Sequence, residues 1–268
     1  IGSRINTPAV GMYVDNIPYL DKSAFDFNFY DIERIDILRG PQGTLYGRNT
    51  MGGLVKVHTR SPFSYQGTDV KLSYGTKNNH RSASLTHYHR ISERFAFSAG
   101  GYYEGADGFF TNTHLNKKVD EMQAGGGRIR AIWFASDNWK FDFNVNYDYT
   151  DEGGYPYYYT GKLEEEEEDR TDLLEKISYN RESTYRRNLL NTGLNIEHQA
   201  DNFIFNAVTG FQHLNDRMFM DQDFSPSDTY TLEQKQRINS ITEEITFKSK
   251  PGRAWQWTTG LFGFYQNM

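Results

Sequence analysis

Cysteine is absent from all 268 residues, which excludes disulfide scaffolds, thiolate metal sites and thiol catalysis. No apolar run is long enough to cross a bilayer as a helix; 24% of the residues are charged and the mean hydropathy is -0.75. Ile1-Gly2-Ser3-Arg4 has neither the basic start nor the apolar centre of an export signal. Nucleotide fingerprints are missing as well: no Gly-Lys-Ser/Thr follows the glycine-rich loop, no G-x-G-x-x-G opens a helix, and the element after the loop is a strand. There is no Gly-x-Ser-x-Gly, and no Ser/His/Asp order stands out. Glu243-Glu244 would point to opposite faces of a strand and cannot form an acid/base couple. His80, His87 and His89 come nearest to a metal cluster, but His87 and His89 share a strand face without a third ligand, so structural or lumen-lining roles are expected and no metal or cofactor is. The net charge of -6 argues against a nucleic-acid partner. Together these absences predict a non-enzyme.

What the chain does have is aromatic side chains and glycine. Tyr, Phe and Trp make up 16%, which a membrane β-barrel can carry at low hydropathy because only every second residue faces lipid. Between Tyr30 and Arg60 the pattern reads strand, glycine loop, strand. Ile35, Ile37 and Arg39 fall on one side of an extended segment and Asp36 and Leu38 on the other, and Gly40-Pro41 stops it. Gly40, Gly43, Gly47, Gly52 and Gly53 permit positive φ and close approach, predicting a tightly packed loop before a second strand at residues 54–59. Upstream, Val10, Met12 and Val14 alternate and lead into Asp15-Asn16, a pair that tolerates the left-handed turn of a hairpin.

The run IERIDILRGPQGTLYGRNTMGG, holding Arg39, Gly40, Pro41, Gly43, Tyr46, Gly47, Gly52 and Gly53, follows a Tyr-Val-Asp turn at residues 13–15. It resembles the plug-domain signature of TonB-dependent outer-membrane receptors, nearer their iron-complex and siderophore branch than their glycan branch. The likeness is strong over about the first sixty residues and general beyond them.

From Gly67 onward the chain becomes a series of strand-length segments, expected at 68–75, 81–90, 94–104, 125–135, 138–149, 189–199, 202–214, 238–249 and 254–266. The clearest is NWKFDFNVNYDY, where Trp139, Phe141, Phe143, Val145, Tyr147 and Tyr149 alternate with Asn138, Lys140, Asp142, Asn144, Asn146 and Asp148. A half-buried soluble sheet would show the same alternation. Tight turns at Ser92-Glu93, Ser136-Asp137, Ala200-Asp201 and Pro251-Gly252 alternating with long connections favour an outer-membrane barrel, with the hairpin at residues 76–80 the exception. The predicted fold is all-β with a small α/β plug: residues 1–62 form the C-terminal part of the plug, and residues 63–268 about nine antiparallel strands of a partial transmembrane β-barrel, a curled sheet. An odd strand number and the missing export signal read as a fragment lacking both ends.

The longest connection, about 150–187, contains Tyr155, Tyr157, Tyr158 and Tyr159, the acidic run Glu164 to Glu168 with Asp169, and a short helix expected over 171–178. Exposed tyrosines suit a ligand-capturing rim; the acidic run reads as a solvated face. On residues 241–247, Ile241, Ile245 and Phe247 share one face and Thr242, Glu244 and Thr246 the other, with Glu243 awkward among the apolar set. The resemblance implies a barrel of about twenty-two strands, an outer-membrane location in a Gram-negative bacterium with lipid around the wall, and a plug held by arginine and glutamate pairs, here Arg39 or Arg34 with Glu244. It also implies an extracellular small ligand such as an iron complex, and energisation by a TonB complex through an N-terminal box that these residues lack. Glycan or vitamin import, a passive porin or adhesin barrel, and a soluble carbohydrate-binding β-sandwich are the alternatives.

Overall fold

The computed structural model describes residues 8–25, 28, 30–43, 46–160, 173–252 and 254–268. A four-stranded mixed sheet comes first: β1 (Val10–Val14), β2 (Ile17–Tyr19), β3 (Ile32–Arg39) and β4 (Gly53–Thr59), in the order β2-β1-β4-β3, with β1 parallel to β4 and the other pairs antiparallel. Asp15 and Asn16 both take positive φ, 49° and 69°, and make the two-residue loop whose twist matches a hairpin. Strand β3 ends at Arg39, where Gly40 turns at φ 86° before Pro41. The glycine loop is closed on itself as its composition predicts: Gln42 N donates to Thr50 O (2.8 Å), Thr50 Oγ1 to Gly47 O (2.9 Å) and Gly52 N to Ala9 O (2.8 Å). The described residues of the plug hold one helical element, a 3-10 turn at Lys22–Ala24, so the α part of the plug shrinks to that turn.

Nine longer strands form the second sheet: β5 (Gly67–Gly75), β6 (His80–Ser92), β7 (Phe95–Ala106), then, after a small hairpin of β8 (Thr111–Asn112) and β9 (Lys117–Lys118), β10 (Met122–Ser136), β11 (Trp139–Gly153), β12 (Thr184–Gln199), β13 (Phe203–Asp221), β14 (Thr231–Ser249) and β15 (Thr258–Asn267). Each pairs antiparallel with the next, and the sheet is not closed. Both its ends reach the first sheet: Lys71 Nζ of β5 donates to Tyr30 O (2.8 Å), and Phe262 of β15 lies where a side chain at Gly47 would have to go. The nine strands therefore curl around the plug as a wall.

The plug sits on the polar face. Along β11, Asp142, Asn144, Asn146 and Asp148 are buried, whereas Trp139, Phe143, Tyr147 and Tyr149 are exposed outward. That orientation is the reverse of a soluble sandwich core. Plug and wall share one apolar cluster, in which Val14, Tyr19, Ala24 and Val57 meet Leu189, Leu214 and Ile238, with Met12, Phe25, Ile32 and Val55 packed against it. Glu243 points outward and accepts from Thr209 Oγ1 on the adjacent strand (2.6 Å), which fixes the register that its place among apolar residues left open.

The connections at 93–94, 137–138 and 200–202 are short and those at 107–121, 154–183 and 222–230 are long, with 76–79 the short exception; the turn around Pro251-Gly252 is longer than expected, spanning 250–257. The strands overrun their expected limits at the long-loop end, β13 and β14 reaching 19 residues each. Apolar alternation stops where the lipid-facing band stops, but the backbone ladder continues above it. Of the helix expected over 171–178, Leu173 is in a 3-10 turn and residues 174–178 are not helical, while 171–172 lie outside the described residues. There Thr113 N takes the carbonyl of Ile177 (2.8 Å) and Asn112 Nδ2 that of Tyr179 (2.8 Å), while Ile177 and Tyr179 pack on Val119.

Candidate functional site at the plug–wall seam

Arg128 and Arg130 lie two residues apart on β10, so both project from the inner face. Arg130 grips Asp142 of β11 with Nε and Nη2 (3.0 and 2.7 Å) and reaches the plug with Nη1, which donates to Asp15 Oδ1 (3.2 Å), Thr59 O (3.1 Å) and Thr59 Oγ1 (3.0 Å). Asp15 also accepts from Thr59 N (3.0 Å) and Thr59 Oγ1 (2.6 Å), so its carboxylate ties the β1–β2 turn to the end of β4. Arg128 pairs with Asp31, both 4% exposed, and its guanidinium lies 5.7 Å from the Tyr30 ring. These charges are desolvated but paired and hydrogen-bonded, the condition under which buried ions persist.

The expected latch is not formed. Arg34 bonds its neighbour Asp36 (3.0 Å) in an exposed position, Arg39 is exposed, and Glu244 meets neither. The reason is sheet order: β3 is the edge strand beyond β4, away from β1, and it is β1 that faces this part of the wall. Glu244 instead accepts from the Tyr13 hydroxyl of β1 (3.3 Å), and that hydroxyl accepts from Gly47 N (3.1 Å). Burial, then the Glu244 carboxylate, pushes the Tyr13 hydroxyl upward, which keeps it a proton donor. The glycine loop is thereby joined to the wall through Tyr13, beside a cavity of about 130 Å³ lined by Gly43, Tyr46, Gly47, Glu244 and Phe262. Tyr13→Phe should expose the plug to protease by roughly 1–3 kcal/mol of lost anchoring, since it leaves both Glu244 and Gly47 N without that partner. Arg34→Gln and Arg39→Gln should leave cleavage unchanged.

The seam thus joins a glycine-loop domain to the polar face of a curled antiparallel wall through buried charges. The TonB-dependent Receptor Plug Domain family matches residues 3–54. Residues 3–54 thus carry the plug domain of TonB-dependent receptors. It is 35% identical to the pesticin receptor of Yersinia pestis over 75 residues, 28% of this chain and 11% of that receptor. To the vitamin B12 transporter BtuB of Vibrio vulnificus it is 29% identical over 141 residues, 53% of this chain and 20% of that one. The solved ferric yersiniabactin uptake receptor FyuA from Yersinia pestis shares its fold, with a TM-score of 0.77 at 19% identity over 97% of this chain and 40% of that chain. The chain therefore spans well under half the length of these proteins.

At the long-loop end of the wall, Tyr157 and Tyr158 are about half exposed, whereas Tyr159 is tied down, its hydroxyl donating to Asp223 O (2.6 Å). Tyr155 stacks toward Tyr157, and Tyr157 packs edge-on against Phe224 (5.3 Å). The acidic run 164–169 lies outside the described residues. Asp223 organises the neighbouring loop by accepting from Ser225 N and Oγ (2.9 and 2.6 Å), Thr229 N (3.1 Å) and Tyr230 N (3.3 Å). Burial raises its pKa, but these bonds outweigh burial and hold it below the ordinary carboxylate value. A depressed carboxylate stabilises above its unfolded pKa and loses that contribution as pH falls through the folded one. Loop 222–230, followed by a fluorophore, should be ordered at neutral pH and loosen below the ordinary carboxylate range; Asp223→Asn should loosen it at every pH.

The histidines are corrected in part. His80 is on the inner face, bonded to Glu104 (2.8 Å), but His87 and His89 point outward, His87 bonding Thr68 Oγ1 (2.8 Å) and stacking on His89, so they do not line the lumen. Arg128, Arg130, Asp15 and Asp31 escaped sequence reasoning. The available signal was two arginines at alternate positions in Gly127-Arg128-Ile129-Arg130-Ala131, on the face opposite Ile129.

Proposed function

We propose that this chain supplies plug elements and wall strands to an active-transport receptor that captures an extracellular iron complex of the siderophore type and admits it when the plug is displaced by TonB-coupled energy. One observation carries the reading: beside a single apolar cluster, the plug is seated on the polar face of the wall by buried ion pairs and hydrogen bonds, a seat that can be vacated and refilled. Exposed tyrosines 157 and 158 stand at the entrance side as part of a capture rim. The iron-complex class is supported by relatives named for pesticin and ferrioxamine B and by the likeness to a ferric yersiniabactin receptor. A vitamin importer is the second reading, favoured by the match to BtuB, which runs over 141 residues.

Deleting the gene in its host and following uptake of iron-55 hydroxamate and catecholate chelates, and of labelled cobalamin, with and without a protonophore, tests this. Loss of protonophore-sensitive uptake of an iron chelate is expected. Loss of cobalamin uptake alone would establish the second reading, and uptake indifferent to both deletion and protonophore would overturn both.

A further inference from the structure

On the inner face of the wall, two side chains are missing side by side under the plug. Gly193 of β12 and Gly210 of β13 are direct cross-strand partners, and both fall on the inner face. Their row continues with Asn144 on one side and Thr242 on the other. Into this pit goes Ile17, the first residue after the β1–β2 turn. A Cβ at Gly193 would sit within 2.5 Å of Ile17 Cγ1 and closer still to Cδ1, and one at Gly210 would be 3.3 Å from Ile17 Cγ2.

Three features make this a key rather than a chance contact. Asp15 and Asn16 hold the turn in a left-handed pair, so the tip does not hinge freely. Asp15, two residues away, is clamped to Arg130. The third feature is what surrounds the pit. Inner-face residues recur every second position, so sliding the plug one repeat toward the long-loop end, about 7 Å, would carry Ile17 from the glycines onto Asn191 and Gln212, which are buried and bonded to each other (2.8 Å). An apolar side chain has no place on that amide pair.

We propose that Ile17 in the Gly193–Gly210 pit sets the closed position of the plug: the ion pairs supply attachment, and this steric fit supplies register. Ile17 is a positioning residue for plug closure. The proposal rests on reading the chain as a plugged receptor but not on which ligand it imports, so its test uses no ligand.

Full-length receptor is reconstituted in planar bilayers and its resting leak of small ions measured for Gly193→Ala, Ile17→Ala and the double variant, with Gly263→Ala as control, since nothing lies within 4 Å of a side chain added there. Gly193→Ala should raise the leak about tenfold, because a methyl group forced into a filled site displaces the hairpin. The double variant should return most of the way to wild type, and the control should not change. Resistance of the folded barrel to heat in detergent, measured on the same samples, identifies any variant that fails to fold; Gly193→Val with Ile17→Gly then serves as the second compensating pair. Wild-type sealing by folded Gly193→Ala, or a folded double variant that leaks as much as the single one, would overturn the proposal. A receptor that seals and responds to Gly193 as expected while importing no iron complex would leave the key standing and remove the iron reading alone.

Discussion

Arg130→Met should unseat the plug. The substitution keeps much of the side-chain volume but removes five donated hydrogen bonds, to Asp142, Asp15 and Thr59, and leaves Asp15 and Asp142, 3% and 5% exposed at their side chains, without their shared cation, Asp142 keeping only the distant Lys140 Nζ (3.9 Å). Removing one partner of a buried pair costs on the order of 3–5 kcal/mol, far more than an exposed pair contributes. The expected readout in the full-length receptor is rapid hydrogen exchange over residues 10–19 and 53–59 and a raised ion leak, with the barrel itself folded. Adding Asp15→Asn removes one of the two stranded carboxylates, so the double change should cost less than the sum of the single ones. Protection equal to wild type in Arg130→Met would show that the seat does not depend on this charge.

Phe143→Arg should destabilise the wall by about 2–4 kcal/mol, the cost of a cation facing lipid near the bilayer midplane. Phe143 is 44% exposed on the outer face, midway between Trp139 and Tyr149 on β11. Its neighbour Asn144 is buried on the inner face, under the plug. Urea unfolding of the full-length receptor in lipid vesicles gives the comparison: a lowered midpoint for Phe143→Arg against none for a serine at 144 is expected. Insensitivity at 143 would place the aromatic row away from lipid and restore the soluble alternative.

The two experiments probe features that were unequally legible. The outward row on β11 could be read directly, because strand side chains alternate strictly and twelve residues kept the pattern without a break. The strand ends could not, since above the lipid band the ladder continues through polar residues such as Glu233-Gln234-Lys235-Gln236-Arg237, which look like loop. Glu244 faces the plug, as the alternation along 241–247 predicts, but its partner there is Tyr13 and not an arginine. Arginines near the glycine loop are the cations the sequence offers it, and the order of four short strands sets Tyr13 before it instead.

By itself the sequence determined what depends on neighbours a few residues apart: the hairpin at Asp15-Asn16, the stop at Gly40-Pro41, the closed glycine loop, the two faces of each wall strand and the alternation of short and long connections. Periodicity and turn chemistry are local, so they survive without coordinates. Only the tertiary structure decided which inner-face residue meets which plug residue. Arg130 and Asp15 are 115 positions apart, and Ile17 meets Gly193 and Gly210 across still longer stretches of chain. Such pairings depend on how far one sheet is turned and slid against another, and no spacing along a strand encodes that.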